Sequence, residues 1–284
     1  MSLEVLAGGP LSTVQDLGRP GLAGIGVGAS GAADPAAFGL ANRLIGNDEG
    51  TAAVETTLGG LAVRATRELT VAVTGAPCPV TLDDRAVAAN SVLRVPAGAE
   101  LRLGVPERGL RSYLAVRGGI AVDPVLGSRS TDVLSGLGPD PLEAGQELPI
   151  GPAPERFPCL DQAPVGDYPA DEVVLRVQPG PRDDWFTAEA LETLLGSAYE
   201  VTAESNRIGM RLDGPALERA STAELPSEGV VTGALQVPPA AKPTLFLADH
   251  PVTGGYPVIA VVARSDIPKA AQARPGQRVR FRRK

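Results

Sequence analysis

One short loop gathers an acid, the chain's single histidine, a hydroxyl, a phenol and a glycine pair: Asp249, His250, Pro251, Val252, Thr253, Gly254, Gly255, Tyr256 and Pro257. Asp249, Thr253 and Tyr256 are candidate catalytic groups. Gly254 and Gly255 allow a ligand to approach backbone N–H donors closely. His250 stands beside a proline and is discounted as the acting residue. Upstream, Arg207 and Arg211 have like parity; on an uninterrupted strand both project to one face, an arrangement suited to a carboxylate or phosphate. Gln236 adds an amide. In the segment Leu126–Asp132, Ser128, Arg129 and Ser130 read equally as a polar pocket wall and as a hydrogen-bonded turn. Ser30 and Gly31 precede a helix start and read equally as an anion-binding turn and as an ordinary glycine-rich connector.

Several chemistries are excluded. Gly26, Gly28 and Gly31 spell a dinucleotide fingerprint, but no buried strand precedes them and the surroundings are not βαβ. No Gly-Lys pair occurs, so there is no P-loop, and no Gly-x-Ser-x-Gly marks a hydrolase elbow. One histidine with two scattered cysteines, Cys78 and Cys159, predicts free thiols and no metal site.

These residues need rigid elements to hold them. Apolar runs at Leu245–Ala248 and Val258–Ala263 flank the loop and predict buried strands. Further strands are expected at 2–7, 69–73, 92–95, 100–104, 112–116, 119–122, 173–177, 199–203, 211–212, 233–236 and 278–281. Strand spacing of this kind points to barrels or sandwiches rather than βαβ units. Two helices are expected, one capped by Asp34 with Pro35 at its first position, the other spanning Ala188–Leu195 with Thr187 as cap. Six prolines between Pro149 and Glu172 mark a linker, giving domains at 1–150 and 172–284 joined through 151–171. The phrases Ala144–Leu148 and Pro275–Val279 echo one another, as duplicated β-rich units would.

Glycine and proline are heavy, at 34 and 27, which implies many turns and short strands rather than long helices, and only 4% of residues are aromatic. A net charge of −7 argues against a nucleic-acid surface. Only Lys242, Lys269 and Lys284 are lysines, so 26 − 3 = 23 of the basic residues are arginine and an anion clamp would be a guanidinium. No apolar run approaches membrane-spanning length and residues 1–9 have no leader pattern, so a cytoplasmic location is expected.

In order along the chain stand Thr13–Gly21, Ser30 to Ala32 with Asp34, Ala41 with Asn42, Gly46 with Asn47, Glu55, and Tyr113–Val116 with Gly118 and Gly119. Leu126–Asp132, Arg207–Leu212, Gly233–Pro239, Ala248 with Asp249, and Thr253–Pro257 follow. This succession resembles the KipA/PxpC family, also known as allophanate hydrolase subunit 2 or the carboxyltransferase AB region of biotin-dependent enzymes. The resemblance implies two tandem cyclophilin-like β-barrels and a few short helices. It further implies work with a KipI/PxpB-type subunit and a PxpA-type subunit as an ATP-dependent 5-oxoprolinase, with ATP and Mg²⁺ required at the level of the complex and a small amide as substrate. One alternative is the carboxyltransferase component of a urea or amide carboxylase, which would need biotin. Another is a regulatory protein that antagonises a KipI-like kinase inhibitor. The chain departs from the family pattern at Pro251 and Val252, where a Gln-Thr pair is expected, and at Asp140 and Pro141, where an arginine is expected.

Overall fold

The computed structural model describes residues 2–157, 160–166, 168–221 and 223–284. The architecture is mainly β, with three short α-helices among the described residues: α1 (Pro35–Leu44), α2 (Ala188–Gly196) and α3 (Ile267–Ala271). The chain divides into two units. The first comprises Met1–Arg19, Ser30–Asp132 and Gly136–Tyr168; the second comprises Pro20–Ala29, Val133–Ser135 and Pro169–Lys284.

Two sheets build the first unit. One runs in the order Leu11–Gln15, Ala53–Thr57, Arg111–Val116, Leu69–Gly75, Val92–Val95; the other is six-stranded and places Ser2–Gly8 beside Leu61–Ala65. Alternation along these strands sends Val5, Val14, Val54, Val63, Val73, Leu101 and Leu114 into one core. Helix α1 covers the outer face of the five-stranded sheet, packing Phe38, Ala41 and Ile45 against Tyr113 and Ala115. Its start is the expected one: the Asp34 carboxylate accepts from Ala37 N at 3.1 Å, and Pro35 opens the helix.

The proline-rich stretch after residue 150 is held by side chains of this unit. Arg117 donates to the carbonyls of Pro154 and Arg156 and lies 4.4 Å from the Phe157 ring, while Asn90 donates to the carbonyl of Pro164. The strand expected at 119–122 does not form. Gly118 and Gly119 take left-handed φ values of 97° and 74°, which turn the chain, and Ile120 keeps only a bridge to Ile150.

In the second unit seven strands close into a barrel. Their order is Glu172–Pro179, Val258–Val262, Ala234–Gln236, Thr244–Phe246, Gly209–Asp213, Ala198–Val201 and Arg278–Arg283, the last pairing in parallel with the first. Leu175, Tyr199, Leu235, Leu245, Ile259 and Phe281 fill it. The strands on either side of the Asp249–Pro257 loop are not neighbours. Ala234–Gln236 lies between them, pairing with both, so the loop spans the end of an intervening strand. Cys78 is a free thiol, and Cys159 lies outside the described residues.

Candidate functional site

Polar side chains gather in two places, one in each unit. In the first unit three separate motifs interlock: Thr13–Arg19, Ser30–Asp34 and Leu126–Asp132. Thr131 N donates to Val14 O and Ala32 N to Asp16 O, both at 2.9 Å, which fastens the two later segments to the first. The Asp16 carboxylate then accepts four hydrogen bonds, from Gly18 N at 2.7 Å, Ser128 Oγ at 2.6 Å, Arg129 N at 2.7 Å and Ser130 Oγ at 2.6 Å. Four donors nearly fill a carboxylate's capacity. Arg19, buried beneath the same loop, donates to the carbonyls of Val125 and Ser130. One acid and one guanidinium thus close the 125–130 segment from both polarities.

The sequence motif Leu126–Asp132 is therefore a tightly hydrogen-bonded loop. The Ser128 and Ser130 hydroxyls donate to Asp16, and each also accepts a backbone N–H, from Ser130 and Asp16 respectively. Arg129 is the member that projects a functional group: its backbone is fixed by Asp16 and its Nε donates to Val122 O at 2.6 Å. Ser30 and Gly31 join this cluster. Ser30 takes φ 53° and donates to Thr131 O at 3.2 Å, while Gly31 has φ 98°. A Cβ on Gly31 would sit 2.8 Å from Gly18 N and 2.9 Å from the Leu17 carbonyl carbon, so only glycine lets the two segments touch.

Behind Ser30 lies a buried network that fixes the turn. Glu55 accepts from Ala33 N at 2.9 Å and from the Tyr113 hydroxyl at 2.8 Å; that hydroxyl in turn accepts from Asp34 N at 2.8 Å. Arg111 lies 3.5 Å from Glu55, both side chains almost fully enclosed. Burial, followed by the neighbouring Glu55 and Asp34 charges, pushes the Tyr113 phenol well above its usual range, so it stays a protonated donor.

In the second unit the organising contact is Arg207 with Asp249. Nε to Oδ2 is 2.8 Å and Nη2 to Oδ1 is 2.9 Å, a two-pronged pair, with Val133 N at 3.2 Å from Oδ2. Two of the guanidinium's donors are thereby spent on Asp249. The expectation that Arg207 and Arg211 share a strand face is not met. The strand begins only at Gly209, because Asn206 Oδ1 accepts from Ile208 N and Gly209 N and holds the chain in a turn. Arg207 falls before the strand and is buried. Arg211 falls on it and points outward, 3.8 Å from the exposed Glu204.

The far end of the loop is open. Thr253, Gly255 and Tyr256 are exposed, Gly254 is half-buried, and Thr253 and Gly254 pair with Gly229 and Glu228 in a two-residue ladder. Gln236, buried beneath, donates to Tyr256 O at 3.0 Å. A Cβ on Gly254 would lie 2.5 Å from Gln236 Nε2, so a larger residue there would displace the Gln236 amide. His250 stacks on Phe246 with ring centroids 5.9 Å apart, a packing role. Sequence reasoning passed over Asp16 and Arg19, although their motif was in view, and over Arg219, whose guanidinium lies 5.9 Å from the Tyr256 ring centre. Among the described residues no group of three or more His, Cys, Asp or Glu side chains is arranged to hold a metal ion.

Residues 25–283 match the family described as carboxyltransferase domain, subdomain A and B. The 5-oxoprolinase C-subunit of Escherichia coli K12 is 38% identical over 285 residues, covering 98% of this chain and 90% of that protein. Urea amidolyase of Lachancea kluyveri is 32% identical over 307 residues, covering 99% of this chain but 17% of that protein. The crystal structure of the K. lactis urea amidolyase superimposes with a TM-score of 0.92 at 32% identity, over 99% of this chain and 18% of that one. These matches span nearly the whole chain, and the chain belongs to the carboxyltransferase domain family, subdomains A and B.

Proposed function

We propose that the chain is the PxpC-type component of an ATP-dependent 5-oxoprolinase, a multi-subunit enzyme that opens 5-oxo-L-proline to L-glutamate with hydrolysis of ATP to ADP and phosphate. The observation that carries this reading is the near end-to-end match, 38% identical, to a 5-oxoprolinase component of similar length. The urea amidolyase match extends over less than a fifth of a much longer enzyme. The partners are a KipI/PxpB-type and a PxpA-type subunit, and the compartment is the cytoplasm.

Opening a lactam requires its carbonyl to be polarised and the developing negative charge to be held. In the second unit Thr253 and Tyr256 offer hydroxyls at the open end of the loop, Gly254 and Gly255 bring backbone N–H groups within reach of a ligand, and Gln236 fixes the backbone at Tyr256. Arg207 and Asp249 hold the loop's base, so their role is to position it. Ser30, Gly31, Ser128, Arg129 and Ser130 of the first unit form a separate hydrogen-bonded cluster, to which no part of the lactam is assigned. The described residues do not fit Mg²⁺-ATP: they carry neither a phosphate loop nor an acid cluster. No step is assigned to the nucleotide on this chain.

A second reading, the carboxyltransferase component of a biotin-dependent urea or amide carboxylase, is favoured by the family match and by the TM-score of 0.92. Mixing the chain with both partner subunits, ATP and 5-oxoproline separates the two. Glutamate formed only when all three chains are present supports the first reading. Carboxylation of urea dependent on a biotin carrier, without glutamate, supports the second.

A further inference from the structure

Resting on the 5-oxoprolinase reading, we propose that Arg219 recognises the substrate's carboxylate at the open end of the Asp249–Pro257 loop, arginine and loop both belonging to the second unit. A guanidinium that reads an anion must be anchored and must keep N–H groups for the ligand. Arg207 and Arg219 contact this loop at opposite ends and differ on the second requirement. Arg207 meets the Asp249 carboxylate through two parallel hydrogen bonds, with both side chains sealed from solvent. Arg219 is half-buried, its guanidinium carbon 5.9 Å from the centre of the exposed Tyr256 ring. Its backbone is pinned on both sides. Arg219 bridges to Phe186, Ala220 N donates to Trp185 O at 2.9 Å, and Thr187 N donates to Glu218 O at 3.2 Å.

The side chain is tied to the same strand end that holds the loop. Arg219 Nη2 donates to Val237 O, Val237 N donates to Pro257 O at 3.0 Å, and the Gln236 amide donates to Tyr256 O at 3.0 Å. Gln236 and Val237 therefore fix Arg219 and residues 256–257 to one another. What stays uncompensated is the charge. Arg219 Nε is enclosed without a hydrogen-bond partner, and among the described residues neither Nη1 nor any acid is paired with it. An enclosed N–H without an acceptor carries a cost, and an anion at the terminal nitrogens supplies the missing counter-charge. Glu228, which pairs with Gly254 across the short ladder, is already taken: Arg182 grips its carboxylate through Nε at 3.0 Å and through Nη2. Partial burial limits the solvent screening that makes most surface ion pairs weak. In 5-oxoproline the carboxylate stands on the ring carbon beside the lactam nitrogen, close to the amide assigned to the 253–256 segment. Urea carries no such charge, so this contact distinguishes an amino-acid lactam from a neutral amide.

The test uses the assembled complex of all three chains. Arg219→Gln should raise KM for 5-oxoproline about tenfold to a hundredfold, as for a lost charge-assisted contact, with kcat little changed. Arg219→Lys, which restores the charge without the planar fork, should recover part of that loss. In the wild-type complex 5-oxoprolinamide, the same lactam with its carboxylate made neutral, should bind roughly tenfold or more weaker than 5-oxoproline, and Arg219→Gln should leave its inhibition constant unchanged. An unchanged KM in Arg219→Gln, no recovery in Arg219→Lys, or equal losses toward acid and amide overturns the assignment. Where Arg219→Gln does not fold, the wild-type comparison decides: weaker binding of the amide sustains the assignment and equal binding overturns it. Should the wild-type complex release no glutamate, the functional reading itself fails. Calorimetric titration of 5-oxoproline into the wild-type and Arg219→Gln complexes then decides the subsite: binding to wild type that the variant loses sustains it, and equal binding or none ends it.

Discussion

Arg207 and Asp249 meet through two parallel hydrogen bonds of 2.8 and 2.9 Å with both side chains sealed from solvent, 42 residues apart in sequence. Asp249 N also donates to Arg207 O at 3.0 Å, so backbone and side chains join the same two positions. Removing one member leaves the other buried and uncompensated, the costly case for an ion pair. Asp249→Ala should lower stability by about 3–5 kcal/mol. Denaturant unfolding measures this, and replacing Arg207 and Asp249 together by apolar residues should restore much of the loss. A loss below about 1 kcal/mol would mean that the pair is effectively solvated.

The Tyr199 hydroxyl is buried inside the barrel without a hydrogen-bond partner among the described residues. Burial pushes its phenol up to about 12. For an acid whose folded value is raised, the associated stability is complete below the unfolded value of about 10 and is lost as pH climbs toward the folded one. Stability should therefore decline between about pH 10 and pH 12. Tyr199→Phe should weaken that decline and, by removing an unpaired buried hydroxyl, cost nothing at pH 7. Urea unfolding across this range is the measurement.

Asp266 shows the opposite sign. Arg176 grips its carboxylate through Nε and Nη2, both at 2.8 Å, and Lys269 stands 3.1 Å away. The Arg176 contact, assisted by Lys269, holds this carboxyl well below the usual carboxylate range. A depressed folded value gives stability that is present above the unfolded value of about 3.9 and is lost as pH falls below it. Asp266→Asn should thus destabilise at pH 7, and its difference from wild type should narrow steadily below about pH 4.

Gly254→Ala places a methyl group against Gln236 Nε2, where the present separation from an ideal Cβ is 2.5 Å. The Gln236 amide must shift, which disturbs its contact with Tyr256 O and with it the backbone of the loop. Glutamate formation should fall at least tenfold while the melting temperature moves by only a few degrees, the response to a loss of roughly 1 kcal/mol. A fall in both together would make the glycine a folding requirement instead.

Much of the fold was legible in local chemistry. Asp34 with Pro35, and Thr187, announced two helices correctly because caps act within one turn. The alternating apolar runs located most strands, but not Leu11–Gln15, Ala53–Thr57 and Leu61–Ala65, nor the hairpin Val80–Leu82 with Arg85–Val87. Its turn is Asp83-Asp84, both at positive φ, a tight-turn signal that lacks the usual glycine. The site was legible in composition and not in geometry. Arg207 and Arg211 have like parity in sequence, yet the Asn206 turn ends the strand between them. Ser128 and Ser130 looked like ligand groups, whereas the distant Asp16 takes both hydroxyls. Contacts between residues more than a hundred positions apart decided the serines' role, and single-segment patterns carry no such information.

The most direct test is the yield of L-glutamate per ADP when this chain is added to purified KipI/PxpB-type and PxpA-type subunits with 5-oxo-L-proline and Mg²⁺-ATP. Glutamate and ADP rising together, and both falling to background when the chain is omitted, is the expected result. ADP release without glutamate, or carboxylated urea appearing only when a biotin carrier is supplied, would contradict it.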